Sequence, residues 1–104
     1  MQRGEVWWAR LPSPAGRRPV VLVSRDRAIQ VRDSVTIVQI TGTVRNIPVE
    51  VPLGTEDGLS KRCVANCDVI VTIPKEFLEE RITRLSAIKQ DALNEALRFS
   101  LDLA

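Results

Sequence analysis

The strongest constraint on what this chain can fold into is the run Val35-Thr-Ile-Val-Gln-Ile-Thr41, which is β-branched at nearly every position. Branched side chains crowd the turn of a helix and fit a pleated surface, so this run predicts a strand. It sits among others of its kind. Glu5–Leu11 reads as a strand stopped by the turn cluster Pro12-Ser-Pro-Ala-Gly16. Pro19-Val-Val-Leu-Val-Ser24 is a continuous apolar run suited to a strand buried on both faces. Its proline stands first, where a missing N–H donor is tolerated. Ile47-Pro-Val-Glu-Val-Pro-Leu53 carries two prolines, which demote it to an edge strand and protect it there. Gly54–Gly58 is a loop, and Cys63–Ile73 makes a fifth strand bent near Asn66.

The last third changes character. Pro74–Glu80 reads as a short helix with proline in its first turn, and Arg81–Leu85 as a short strand. Ser86 then N-caps a helix with an apolar stripe at Ile88, Ala92, Leu93, Ala96, Leu97, Ser100 and Leu101. That stripe is expected to cover the sheet. The fold class is therefore mainly β with a C-terminal helix, a small curled sheet of antiparallel strands forming one domain over residues 1–104. Composition agrees: 44% apolar and 27% charged residues are ordinary for a soluble globular chain. The longest core-like run, Val20–Val23, is far short of the about 20 residues that cross a membrane. The opening Met1-Gln-Arg-Gly-Glu5 has no apolar leader, which predicts a cytoplasmic location.

Charge is uneven along the chain. Residues 1–32 hold seven arginines and no lysine against Glu5 and Asp26, a net +5, whereas residues 33–104 carry a net −3. Planar guanidinium forks suit phosphate, so a polyanionic partner is one reading; arginines that are merely solvated are the other. Histidine is absent. Imidazole-based ribonuclease chemistry, Ser-His-Asp and Cys-His triads and His-ligated zinc are thereby excluded within the chain. Cys63 and Cys67, four apart on a strand, would lie about 13 Å from each other, too far for a disulfide, and read as small buried hydrophobes.

Three clusters lack an obvious structural job. In Gly16-Arg17-Arg18-Pro19, two arginines stand at the mouth of a buried strand. Strand neighbours point to opposite faces, so one should face inward, and Pro19 holds Arg18 extended. The alternative there is a salt bridge to Glu5 or Asp26. In Ile40-Thr-Gly-Thr-Val-Arg-Asn46, the β-branched strand breaks at Gly42 amid hydroxyl, guanidinium and amide groups that could cradle phosphate or base, or simply populate a turn. Lys61-Arg62 with Asn66 and Asp68 form the third cluster, for which plain surface polarity is favoured.

Taken in order, these pieces resemble the MazF/PemK family of toxin endoribonucleases. Arg3-Gly-Glu-Val-Trp-Trp8 resembles the family opening, and Arg18-Pro-Val-Val-Leu-Val-Ser24 its RPxxVxS strand. Thr41 stands where the family ends its third strand. Gly58-Leu59, Val64–Ile70, Ile82–Ser86 and the closing helix with Glu95-Ala-Leu97 complete the pattern. The resemblance implies an SH3-like barrel of the type shared by CcdB and PemK, working as a homodimer. It also implies metal-independent, sequence-preferring cleavage of single-stranded RNA, with no cofactor. The family's catalytic arginine corresponds to Arg18 and its catalytic threonine to Thr41. The chain departs from the family in the loop before the arginine, where Pro12–Gly16 is short and carries no carboxylate. It departs again at Val69 and Val71, where relatives often place polar or basic groups, so no relative's base preference carries over.

Arg18 and Thr41 suit attack by the ribose 2′-OH on its own phosphorus, giving a 2′,3′-cyclic phosphate and a 5′-OH. Arg17, Thr43, Arg45, Asn66 and Asp68 are candidates for binding the RNA. Of Trp7 and Trp8, one should be core; the other should lie in an interface or stay partly exposed, in preference to stacking on bases. The resemblance further implies a cognate antitoxin whose disordered acidic segment would complement the basic first third. Two other readings use the same barrel. One is a CcdB-like poison that binds gyrase without catalysis, and the other is an inactive RNA-binding module.

Overall fold

Gly4, Gly16, Gly42, Gly54 and Pro74 stand at the ends of strands in this chain. The computed structural model, which describes residues 1–104, contains β1 (Glu5–Arg10), β2 (Arg17–Leu22), β3 (Ser34–Thr41), β4 (Glu50–Leu53), β5 (Cys63–Pro74) and β6 (Leu78–Arg84). Helix α1 (Asp26–Val31) lies between β2 and β3, and α2 (Ala87–Ser100) follows β6. The strands pair in the order β4-β5-β3-β2-β1-β6, antiparallel throughout. The barrel is realised as one curled sheet. Its edges are β4, which carries Pro52, and the charged β6.

Both faces of the sheet are covered. Val20 and Leu22 of β2 and Ile37 of β3 join one apolar cluster with Ile29 of α1, while Val21 and Val38 join another with Leu93 and Ala96 of α2. This alternation explains why Val20, Val21 and Leu22 are all fully buried. Cys63 and Cys67 are buried free thiols inside the second cluster.

The fifth strand bends where Asn66 suggested. Val38 pairs with Ile70 but Gln39 pairs with Asn66, so Cys67, Asp68 and Val69 form a bulge. The bulge is fastened on two sides. The Cys67 amide donates to the Val49 carbonyl at 2.8 Å. The Ser100 hydroxyl at the end of α2 lies 2.8 Å from the Cys67 carbonyl oxygen and 2.9 Å from Asp68 Oδ1.

Three features differ from the sequence reading. The short helix expected over Pro74–Glu80 is a single 3₁₀ turn, Lys75–Phe77, after which β6 begins at Leu78. Pairing with β1 overrides the helical preference of the glutamates, which an edge strand can leave in water. Helix α1 was not read at all, because its six residues offer only Ala28 and Ile29 as buried positions. In α2 the Ser86 cap forms as expected, accepting from the Lys89 amide at 3.2 Å, and Leu93, Ala96, Leu97 and Ser100 of the expected stripe face inward, but Ile88, Ala92 and Leu101 do not. Leu93 and Ala96 are buried, whereas Ile88 is 80% exposed. One turn into the helix, the Gln90 side chain takes the inward place instead, donating to the Leu85 carbonyl at 2.8 Å.

Candidate functional site: a groove between the ends of β2 and β3

The β2–β3 register pairs Leu22 with Ile37, Val21 with Val38 and Val20 with Gln39. Continued by two residues, that register brings Arg18 opposite Thr41. The ladder itself ends at Val20 and Gln39, before Pro19, which has no N–H to extend it. Beyond it a groove of about 510 Å³ opens, a size typical of ligand pockets. Arg17, Arg18 and Pro19 line one side and Ile40, Thr41 and Gly42 the other. Trp8 and Ile82 also line it, with Leu59, Ser60 and Lys61 contributed by the loop before β5 and Cys63 by the start of β5. Gly58 lets that loop turn in tightly. Its φ is +94°, and a Cβ there would meet the Thr83 hydroxyl oxygen at 2.7 Å.

The half-buried Arg18 is aimed by backbone. Its Nε donates to the Ala15 carbonyl at 3.0 Å, in the loop whose ends are pinned by the Leu11 amide on the Gly16 carbonyl at 2.9 Å. The terminal Nη groups of Arg18 make no bond within the chain, and the side chain joins none of the ion pairs. Glu5 pairs instead with Arg81, and Asp26 accepts from the Arg3 amide. Burial pushes the Glu5 carboxyl up, but the Trp7 indole, a backbone bond at Gln2, the N-terminus and Arg81 outweigh it, and the net shift is downward. Thr41 is oriented as a donor: its Oγ1 accepts the Thr43 amide at 3.2 Å, leaving the hydroxyl proton free for a ligand.

Arg17 is held elsewhere. Its Nε donates to Glu79 at 2.9 Å, and its guanidinium carbon lies 4.3 Å from the centre of the Trp8 ring. Hydrogen bonds from Arg17 and Arg10 hold the Glu79 carboxyl below its ordinary range. Lys61 adds a cation to the groove, its Nζ lying 3.8 Å from where a Gly42 side chain would begin. Cys63 lines the groove as a thiol whose pKa burial pushes up.

Of the residues singled out from sequence, the groove therefore gathers Arg17, Arg18 and Thr41. Thr43, Arg45, Asn66 and Asp68 are not among its walls. Thr43 is exposed just beyond it. The amides of Arg45 and Asn46 both donate to Glu50 Oε1 at 2.9 Å, which ties down the loop after β3. Asn66 Oδ1 accepts the Asp68 amide at 3.0 Å within the bulge beneath α2. Ser60 and Ile82 are groove residues with no signal in the sequence as site residues; Lys61 belongs to the cluster for which surface polarity is favoured, and Trp8 to the pair expected in core or interface rather than on bases. Trp7 packs against the cluster on the α1 face and spends its N–H on Glu5 at 2.9 Å. Both tryptophans are partly exposed, and Trp8 is the one that lines the groove. Only the Lys61-Arg62 dipeptide had signalled that its loop could matter.

A family model described as PemK-like, MazF-like toxin of type II toxin-antitoxin system matches residues 2–101. The chain belongs to this toxin family. Among curated PemK/MazF-like relatives, it is 37% identical over 101 residues to probable endoribonuclease MazF2 of Mycobacterium tuberculosis, covering 96% of this chain and 97% of that one. It is 36% identical over 115 residues to endoribonuclease MazF9 of the same organism, covering 99% and 98% of the two chains. The structure of Mycobacterium tuberculosis toxin MazF-mt6 superposes with a TM-score of 0.89 at 34% identity, covering 96% and 98%. A mycobacterial endoribonuclease solved in complex with its cognate antitoxin gives the same TM-score at 29% identity, covering all of this chain and 97% of that one.

Proposed function

We propose that the chain is an endoribonuclease toxin that cleaves single-stranded RNA in the groove between β2 and β3, with Arg18 and Thr41 as its catalytic residues. The observation that carries this reading is that one groove is lined both by Arg18, whose Nη groups make no bond within the chain, and by Thr41, whose hydroxyl proton is free to be donated. The named endoribonuclease relatives support the same reaction.

The nucleophile comes from the substrate. The ribose 2′-OH attacks the adjacent phosphorus, and negative charge gathers on the non-bridging oxygens of the phosphorane. Arg18 stabilises that charge through its Nη groups, and the Thr41 hydroxyl donates to one non-bridging oxygen. The 2′-OH gives up its proton to water, and a water gives one to the departing 5′ oxygen, to which Arg18 donates a hydrogen bond. A preorganised donor of this kind contributes about 3–4 kcal/mol at the transition state. No histidine is present to act as a base near neutral pH, so turnover is expected to be modest. Bases are read on an unpaired strand, because an A-form duplex hides its major groove. Arg17 and Lys61 at the groove, with Thr43 and Arg45 just beyond it, are the polar groups available to the strand; Asn66 and Asp68 lie outside the groove, their side chains engaged within the bulge.

Residues 1–104 work as one toxin domain, a reading supported by the single sheet and the span of the family match. Cytoplasmic RNA is the substrate, and no helix is long and apolar enough to cross a membrane. A homodimer is supported by Phe99, Leu101 and Leu103, large apolar side chains exposed together at the end of α2. An antitoxin partner is supported by the relative solved with its own. The test is incubation of purified protein with single-stranded RNA in EDTA. New 5′-hydroxyl and 2′,3′-cyclic phosphate ends are expected, and none should form where the scissile nucleotide is 2′-deoxy. Cleavage of the deoxy strand would reject the scheme.

A further inference from the structure

At the mouth of the groove two arginines grip one carboxylate, and the arrangement is not needed for the chemistry just described. Arg10 and Arg17 face each other in the β1–β2 register. Each donates from Nε to a different oxygen of Glu79, at 3.0 and 2.9 Å. Arg17 at the same time lies over the Trp8 ring. A planar anion held between two guanidinium forks occupies the place a phosphate would take. A planar cation resting on an indole covers the face on which a nucleobase would stack.

The two layers differ in mobility. Trp8 sits on a strand paired on both edges, to Pro19 of β2 and Glu80 of β6, so the backbone that carries its ring is held in the sheet. The side chains of Arg17 and Glu79 are 43% and 32% exposed, and exposed ion pairs of this kind hold weakly. Unlike Trp7, Trp8 makes no hydrogen bond through its indole N–H within the chain, so that group too is free for a ligand.

We propose that Trp8 is a base-stacking platform for the RNA strand, and that Glu79 keeps Arg17 over it until an RNA phosphate displaces the carboxylate from between Arg10 and Arg17. The free protein thus carries an internal mimic of its own ligand, with a carboxylate for the phosphate and a guanidinium for the base. This proposal rests on the RNA-cleaving reading of the groove.

The probe is a 2′-deoxy copy of an RNA that the protein cleaves, which keeps bases and phosphates but cannot react. Binding is followed by intrinsic tryptophan emission and by anisotropy of a labelled strand. Emission should be quenched in the Trp7→Phe variant, where Trp8 is the sole reporter, and not in Trp8→Phe. Trp8→Leu should weaken binding about ten-fold, while Trp8→Phe, which retains a ring, stays within about three-fold of the parent. Glu79→Gln should tighten binding several-fold, because the competing anion is gone. Unchanged Trp8 emission at saturation, equal affinity of the Leu and Phe variants, or unaltered affinity of Glu79→Gln would each overturn the proposal. Failure of the underlying reading shows separately, as parent RNA left intact by the unmodified protein, and would remove this proposal with it.

Discussion

Arg17 and Arg18 are neighbours in sequence with opposite surroundings. One is neutralised by Glu79 and rests on Trp8, while the other keeps its Nη groups free beside Thr41. The hydroxyl of Thr41 can be tested without touching charge. Thr41→Val should lower kcat by about two to three orders of magnitude with little change in KM, and Thr41→Ser should restore most of it. Equal rates for the Val and Ser variants would remove the hydroxyl from the mechanism. Cys67 gives a pH test of the core. Burial, and secondarily Asp68, pushes its thiol up to about 11 from an ordinary 9.0. A raised folded pKa means the contribution is whole below about pH 9 and is lost as pH climbs to about 11. Urea midpoints across that range should fall more steeply for the parent than for Cys67→Ala; parallel slopes would refute it. The choice of Arg18 and Thr41 rests on the family resemblance; the two clusters that hold them were legible from sequence because Pro19 and Gly42 punctuate their strands. The groove role of Trp8 was not, since alternation says that Trp7 and Trp8 diverge but not which of them reaches a cavity.

The elements show where local pattern was sufficient. β3 and β2 were readable because branched residues leave little else possible, and Ser86 announced α2. The phase of α2 was misread at Ile88, because an apolar residue near a helix start can be left in water when a polar side chain such as Gln90 finds a backbone partner inward. Leu93→Ala should therefore cost about 2–5 kcal/mol in denaturant unfolding, and Ile88→Ala no more than about 0.5 kcal/mol. Comparable losses at both positions would contradict the observed helix face. The 74–80 segment escaped a helical fate through tertiary pairing, which no window of its own sequence contains: Leu78 meets Ala9 and Glu80 meets Trp8 across β6 and β1. The loop Gly42–Pro48 was similarly opaque. What decides its course is Glu50, a buried carboxylate whose Oε1 accepts two amides while Oε2 has no partner.

For the whole molecule, sheet order joins residues that the chain keeps apart. Arg18 and Thr41 line one groove because β2 and β3 are antiparallel neighbours whose ladder ends before Pro19. The concentration of arginine in the first third likewise becomes meaningful only in the fold, which carries Arg17 and Arg18 from that third to Lys61 across the groove. The antiparallel class was readable from strand number and turns. The strand order was not, because long-range pairing such as β1 with β6 has no local signature. The most direct measurement is single-turnover cleavage of one RNA by the parent, Arg18→Ala, Thr41→Val and the double variant. Each single change is expected to cost a few hundred-fold, and the double much less than their product, because both groups serve one phosphorane. A single variant that cleaves at the parent rate would contradict the convergence of Arg18 and Thr41 on the scissile phosphate.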